Sequence, residues 1–454
     1  MTIRDTLQRF AAQILSLCEC TSEGSSKIDS LLKCDSVDDM SACIVNKYQR
    51  QKFAKENLPY VQPQEHTSDS SDTFQYVPGI KVLQNMLLSD IFRDSSLFDR
   101  RTADLVKEGS QFTRFLMLYS YELEIANPLG SKRGFNKLFV VYFSVVNIHA
   151  RYRSQLSSIH VAIIAKYTAV QKHGSPAVME PVLKDINLLS GVGFTVNHCS
   201  THVKVTAVLL AFCGDNLSMN KLGGFSCNFS KGRPCRFCVR ASEDLESSLC
   251  EIDTEVWTEN VHRHHLHNVL EGGSQQSRIY GVKATSPLLD ITYFDVSLQL
   301  PSDLMHDLIE GVVPHVLQQV LNGLITHSVL TYSDLDRVAA FNYGFHDRKN
   351  KPEPLARAFV QGHASCKGTA SQMGRLFYLF SIIFGDILPK DNQDWEIYLK
   401  LRDVVGLGFA DELPRDHIAY LQDSITFFLT AFTERYPAKM IPKLLFFPLP
   451  DNDQ

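Results

Sequence analysis

Val203–Cys213 reads VKVTAVLLAFC and runs straight into Gly214-Asp215. A nearly continuous apolar run of this length predicts a strand buried on both faces, as in a sheet covered by helices. Upstream, Phe115–Leu123 and Leu138–Val146 are rich in aromatic and β-branched residues. The turn signal Asn127-Pro128-Leu129-Gly130 separates them, so both read as strands. Ile159–Val170 carries apolar residues on one face and predicts a helix. Strand, strand, helix and strand in one stretch predict an α/β core. Before it, Ile80, Val82, Leu83, Met86 and Leu87 give Tyr76–Ile91 the pattern of an amphipathic helix. After Pro287 the pattern is mostly helical, over Leu304–Leu324, Ser333–Ala340, Ser371–Ile387, Trp395–Val405 and Ile418–Tyr436.

Composition narrows the class. Of 454 residues, 44% are hydrophobic and 10% aromatic, enough for a sizeable core and against disorder or a fibrous protein. Fifty acidic and 45 basic side chains leave a formal charge of −5. That balance argues against coating nucleic acid by bulk charge and leaves room for a local basic groove. No apolar run approaches the roughly 18–20 residues that cross a bilayer. The charged start MTIRDTLQRFAAQ reads as no secretory signal. The 11 cysteines, odd in number and irregularly spaced, then read as reduced thiols, a few of them metal ligands. The expectation is a protein that is not secreted and has no membrane partner.

Four regions follow. Residues 1–73 are poorly defined, with a helical period at Leu7–Leu17, scattered cysteines (Cys18, Cys20, Cys34, Cys43) and the polar loop Ser68–Asp72. Residues 74–220 hold the first part of the α/β core. Residues 221–285 break its rhythm with a concentration of cysteine and histidine, and read as an insertion. Residues 286–454 form the helical part that completes the core. No internal repeat is visible.

Three constellations could carry chemistry. Cys235-Arg236-Phe237-Cys238 places two thiols three positions apart after Pro234. With Cys227 upstream and His262, His264, His265 and His267 downstream, a structural Zn²⁺ site drawn from Cys227, Cys235, Cys238, His262 and His265 is stereochemically reasonable. The competing reading is a buried or reactive thiol pair beside exposed histidines. Asp215 follows a buried strand at its carboxyl end, where open α/β sheets place ligands. A helix cap explains it equally simply. Asp303, His306, Asp307 and Glu310 recur at i, i+3, i+4 and i+7, one stripe of a helix that could hold a divalent cation. A polar helix face capped by Asp303 is the plainer account.

Taken together, the motifs resemble the transposase of CACTA-type (En/Spm-like) DNA transposons, in the form found in animal genomes. The resemblance runs in order through FQYVP (Phe74–Pro78), NPLGSKRG (Asn127–Gly134), YFSVVNI (Tyr142–Ile148) and YRS (Tyr152–Ser154). It continues through GDNLSMNKLGGF (Gly214–Phe225), CRFC (Cys235–Cys238), GVKATSPL (Gly281–Leu288) and PSDLMHDLIEGVVP (Pro301–Pro314). NKPEP (Asn350–Pro354), SQM (Ser371–Met373) and GDILPKDNQDWE (Gly385–Glu396) complete it, covering about residues 74–445.

The resemblance implies an α/β core of RNase H-like type with a Cys/His-rich, zinc-stabilised insertion. In such cores three carboxylates hold two Mg²⁺ (or Mn²⁺) ions about 3.5–4 Å apart for in-line attack on a phosphodiester. By position, Asp215 would be the second acid, and Glu310, or else Asp307, the third. The sequence departs from the family at the first acid: where an Asp-Asp-Phe run is expected, it reads Tyr121-Glu122-Leu123-Glu124, leaving Glu122. Mg²⁺ tolerates little misplacement, and an error of about 1 Å can cost on the order of 10²-fold in rate. The end of the chain departs too, with Ile441–Phe446 where the family continues with histidines, and no N-terminal zinc finger is seen. The implied function is a truncated, drifted transposase-derived protein, nuclear or cytoplasmic. It would retain the fold as a non-catalytic DNA- or protein-binding module and could self-associate as a homo-oligomer. The alternatives are an active metal-dependent transposase and a decaying gene product without a selected role. Lys132, Arg133 and Arg236, with Lys137, Lys231, Arg233 and Arg240 nearby, are the candidate phosphate contacts, unless they simply solubilise the surface.

Overall fold

The computed structural model describes residues 52, 60–67, 72–88, 112–124, 137–198, 201–229, 231–242, 255–410 and 413–445. The expected helix at Leu7–Leu17, the cysteines before residue 44 and the turn at 127–134 lie outside them.

Seven strands form one mixed sheet in the order β1-β2-β5-β4-β3-β7-β6. These are β1 (Gln64–Thr67), β2 (Thr73–Tyr76), β3 (Phe112–Glu124), β4 (Lys137–Val145), β5 (His160–Lys166), β6 (Phe194–His198) and β7 (Thr201–Cys213). The pair β3 and β7 is parallel, and every other pairing is antiparallel. The expected helix at Ile159–Val170 is corrected: its first half is β5, and a helix starts only at Tyr167. A short apolar run is ambiguous between the two states. Here β-branched Val161, Ile163 and Ile164 and the ladder to β4 favour the strand. β7 is covered along its middle, where Val205, Thr206, Ala207 and Leu209 are all buried, and Leu210, at the register shift against β3, keeps 44% of its surface exposed.

Helix α1 (Gly79–Leu88) and helix α2 (Tyr167–Gly191) cover the buried face. Val82, Leu83 and Met86 of α1 and Val178, Met179, Val182 and Ile186 of α2 meet Leu116, Leu118 and Phe143 of the sheet. The Asp185 carboxylate on α2 accepts from Tyr76 Oη and from the Gly79 N–H at 2.8 Å, tying the start of α1 to α2. Within α2, Gly174 (φ 82°) and Pro176 break the helical path. Helix α3 (Asn216–Leu222) follows β7 directly, and helix α4 (Glu259–Gly272) lies in the Cys/His-rich region. Phe225, Val239, Trp257, Leu266 and Val282 of that region join the same hydrophobic core as the sheet, which extends to Leu300.

A second core begins at Leu308. Met305–Val312 is a π-helical segment that runs into α5 (Val313–Thr326). Its wide turns close through bonds such as Val313 N–H to Leu308 C=O. Pro314 lacks an N–H, and its ring would strike the Glu310 carbonyl in a straight α-helix, which gives the widened turns a cause. Helices α6 (Ala370–Phe384), α7 (Gln393–Gly408) and α8 (Asp416–Arg435) pack around α5. Phe377, Phe380, Phe384, Tyr398, Phe428 and Phe432 are essentially inaccessible, each side chain worth about 1.5–3 kcal/mol of burial. Asp394 is buried among them. It accepts two bonds from Arg435 (2.8 and 3.1 Å) and one from Tyr436 Oη (2.5 Å). Among the described residues no helix is long and apolar enough to cross a membrane.

The α2–β6 connection gives a direct test of the fold. Gly193 sits at φ 67°, and a Cβ there would lie 2.2 Å from the Val205 carbonyl oxygen of β7. Gly193→Ala should therefore cost at least about 1–3 kcal/mol, read as a lower urea midpoint with an unchanged slope. A midpoint equal to that of the wild type would contradict the α2–β6–β7 packing.

Candidate functional site

The carboxyl end of β7 brings together groups far apart in sequence. Asp215 ends the strand and caps α3, accepting the Ser218 N–H at 2.7 Å. In the parallel pairing Tyr119 lies opposite Cys213, so Tyr119 is the β3 side chain that reaches this end. Its hydroxyl is 3.5 Å from Asp303 Oδ2, and its ring stacks on Tyr142 with centroids 5.1 Å apart. Burial first, and then the negative charges of Asp303 and Asp215, hold the Tyr119 phenol well above its usual range. Burial and Asp303 likewise push the Cys213 thiol up to about 11.

Asp303 caps the π segment by accepting the N–H groups of Met305 (3.0 Å) and His306 (3.2 Å). Its second oxygen lies 2.8 Å from His306 Nδ1. Asp307 is 5% exposed and accepts a hydrogen bond from the Asn216 amide. Burial raises its carboxyl above the ordinary range, against the pull of Asn216 and Arg236.

Arg236 closes the group. It is 4% exposed and donates from Nε to Leu300 O (3.0 Å), from Nη1 to Asn216 Oδ1 (2.5 Å) and from Nη2 to Pro301 O (2.8 Å). Burial brings its guanidinium down to about 10, opposed chiefly by Asp307 and then by Cys235, Asp303 and Asp215. It stays a cation at neutral pH, an internal counter-ion to the carboxylates around it. The expected phosphate contact at Arg236 is corrected accordingly, because its donors are turned inward. Lys132 and Arg133 lie outside the described residues.

The expected metal ligands are therefore divided. Side chains alternate along β3, so Glu122 shares the face of Ser120, opposite that of Tyr119. Its carboxylate pairs with Lys137. On the π segment the stripe splits. Asp307 turns inward, whereas half-exposed Glu310 reaches only His306 Nε2, at 3.9 Å. Asp215 and Asp307 both act on Arg236, Glu122 and Asp215 both act on Lys137, and Glu310 meets His306. Carboxylates already bonded to an amide, a histidine and a helix terminus do not fit a two-cation site, which needs oxygens free to coordinate.

The Cys/His set is divided in the same way. Cys235 and Cys238 touch. The buried Cys235 thiol donates to Cys238, which holds the first up and draws the second down. The Phe237 N–H approaches Cys235 Sγ at 3.3 Å. Buried His262 instead addresses the Gly223 carbonyl (3.1 Å) and packs edge-on against Phe225 and Trp257. His265 Nδ1 lies 2.9 Å from Tyr280 O, and Cys227 Sγ lies 3.8 Å from Phe225 O. The five residues expected to share a zinc ion do not converge. Among the described residues, no group of three or more His, Cys, Asp or Glu side chains is arranged to hold a metal ion.

The chain matches no protein-family model and no curated protein.

Two measurements test the cluster. Arg236→Met would leave Leu300 O, Pro301 O and Asn216 Oδ1 without their donor and should cost about 1–3 kcal/mol in urea unfolding for each buried group left unpaired, far more than a surface arginine. Asp307 binds its proton more tightly folded than unfolded. The stability from that proton is complete below the ordinary aspartate range and is lost as pH rises through the raised value. Asp307→Asn should remove this part of the pH dependence, and an unaltered profile would contradict the burial assigned to the carboxyl.

Proposed function

We propose that this chain is a transposase-derived protein that keeps an RNase H-like core as a DNA- or protein-binding module without strand-cleaving activity. Three antiparallel strands (β3, β4, β5), a helix (α2) and a strand (β7) parallel to and beside the first support the reading, with β6 added between α2 and β7 at the edge of the sheet. The resemblance of GDNLSMNKLGGF and PSDLMHDLIEGVVP to CACTA-type transposases supports it at the sequence level.

One observation carries the loss of activity. The expected first acid, Glu122, is bound to Lys137, which also feels Asp215, and the buried cation nearest Asp215, Asp303 and Asp307 is the guanidinium of Arg236. A fixed guanidinium balances charge, but it can neither activate water nor polarise a phosphodiester as a Lewis acid does. Binding needs neither. Lys231, Arg233 and Arg240 remain on the segment that delivers Arg236, with Lys231 exposed.

The test is supercoiled plasmid incubated with the purified chain and Mg²⁺ or Mn²⁺, alongside DNA binding at several salt concentrations. No nicking is expected, and DNA affinity that falls steeply with salt would identify DNA as the partner. Nicking by the wild type that disappears in Asp215→Ala would overturn the non-catalytic reading.

A further inference from the structure

The face of the sheet opposite Tyr119 carries a cavity of about 420 Å³, within the range of small-molecule sites. It exists because α2 is broken. Gly174 leaves the helical path at φ 82°, and Pro176 restarts the helix with no N–H to give, so this stretch walls a hollow instead of packing on β3 and β4. Phe139 and Tyr167 form an apolar wall, and Ser175 and Ser218 contribute hydroxyls.

The rim is cationic. Lys221 and Lys283 are exposed, and among the described residues neither ammonium group has a carboxylate partner. Both line this one cavity, Lys221 from α3 and Lys283 from the chain after α4. The carboxylate in the wall, Glu122, is already bound to Lys137, whose ammonium lies 4.6 Å from the centre of the Tyr167 ring. That pair is neutral as a unit, and it leaves the two rim lysines as net positive charge above an aromatic and apolar floor.

We propose that this cavity binds a nucleotide, with its phosphate between Lys221 and Lys283 and its base against the wall of Phe139 and Tyr167. A compact dianion is what two ammonium groups and nearby hydroxyls recognise, and a flat apolar body is what the wall accommodates. The same chemistry is offered by a free mononucleotide and by the phosphorylated 5′ end of a DNA strand. The inference does not rest on the proposed function, since Lys221, Lys283, Phe139 and Tyr167 take no part in the acidic cluster.

The experiment is calorimetric titration of the full chain with deoxyadenosine monophosphate, with deoxyadenosine, and with a 5′-phosphorylated single-stranded oligonucleotide. Lys221→Glu, Lys283→Glu and, as a control outside the cavity, Lys390→Glu are titrated in parallel after their thermal midpoints are matched to the wild type. A phosphorylated probe should bind, and each rim variant should weaken it by about tenfold or more while Lys390→Glu does not. Binding of the mononucleotide identifies a free nucleotide as the source, and binding of the oligonucleotide alone identifies a strand end. Failure of both phosphorylated probes, equal binding of the nucleoside, or insensitivity to both rim substitutions would overturn the proposal.

Discussion

A guanidinium held out of water among carboxylates is the constraint around which this molecule is arranged. Desolvating Arg236 is expensive, and the arrangement is tolerable only because its donors meet Leu300 O, Pro301 O and Asn216 while Asp307, Asp303 and Asp215 supply the opposite charge. Those partners come from the start of α3, the chain that links the two hydrophobic cores, and the π segment. One side chain therefore fixes three pieces of backbone that share little apolar contact at this point. Its own position is set by the loop of Cys235 and Cys238, pinned by the Trp257 Nε1 bond to Cys235 O at 3.0 Å.

The hydrophobic terms do different work. The sheet with α1 and α2 makes one core and α5–α8 make another, and each is large enough to hold its own elements together. What burial cannot specify is how the ends of β3 and β7 meet the helix that begins the second core. Apolar contact is non-directional, whereas the bonds of Arg236, Asn216 and Asp303 have fixed lengths and angles. The polar cluster thus supplies orientation where the cores supply stability.

Much of the fold was legible in the sequence. Runs of β-branched and aromatic residues marked β3, β4 and β7, and helical periodicity marked α1 and α5–α8, because those elements bury a regular face. β5 was read as a helix because seven apolar-rich residues satisfy either period, and its pairing with β4 is a tertiary fact. Asp215 was legible as a helix cap at a strand end, and it accepts the Ser218 N–H at the start of α3. The place of Tyr119 was not legible, since finding it requires the register of two strands about ninety residues apart. Arg236 read as a surface charge because nothing local shows that the backbone of Leu300 and Pro301 folds over it. The acidic stripe was visible, but its division into inner Asp307 and outer Glu310 depends on helical turns wider than the 3.6 residues that the spacing assumed.

Those wider turns have a further consequence. A π segment fits more chain into a given rise than an α-helix does, so Met305–Val312 behaves as a stored insertion. Losing a single codon there would let the segment relax to α geometry, which turns the chain by about 100° per residue. Leu308, Ile309 and Val312, which belong to the second core, would then present different faces to it, and Asp303 and Asp307 would shift relative to the guanidinium. The mutual bearing of the two halves is thus written in a count of residues as much as in the identity of any one of them. Length variation at this point is a route by which descendants of the chain could reshape the cluster and the first contacts of the second core together.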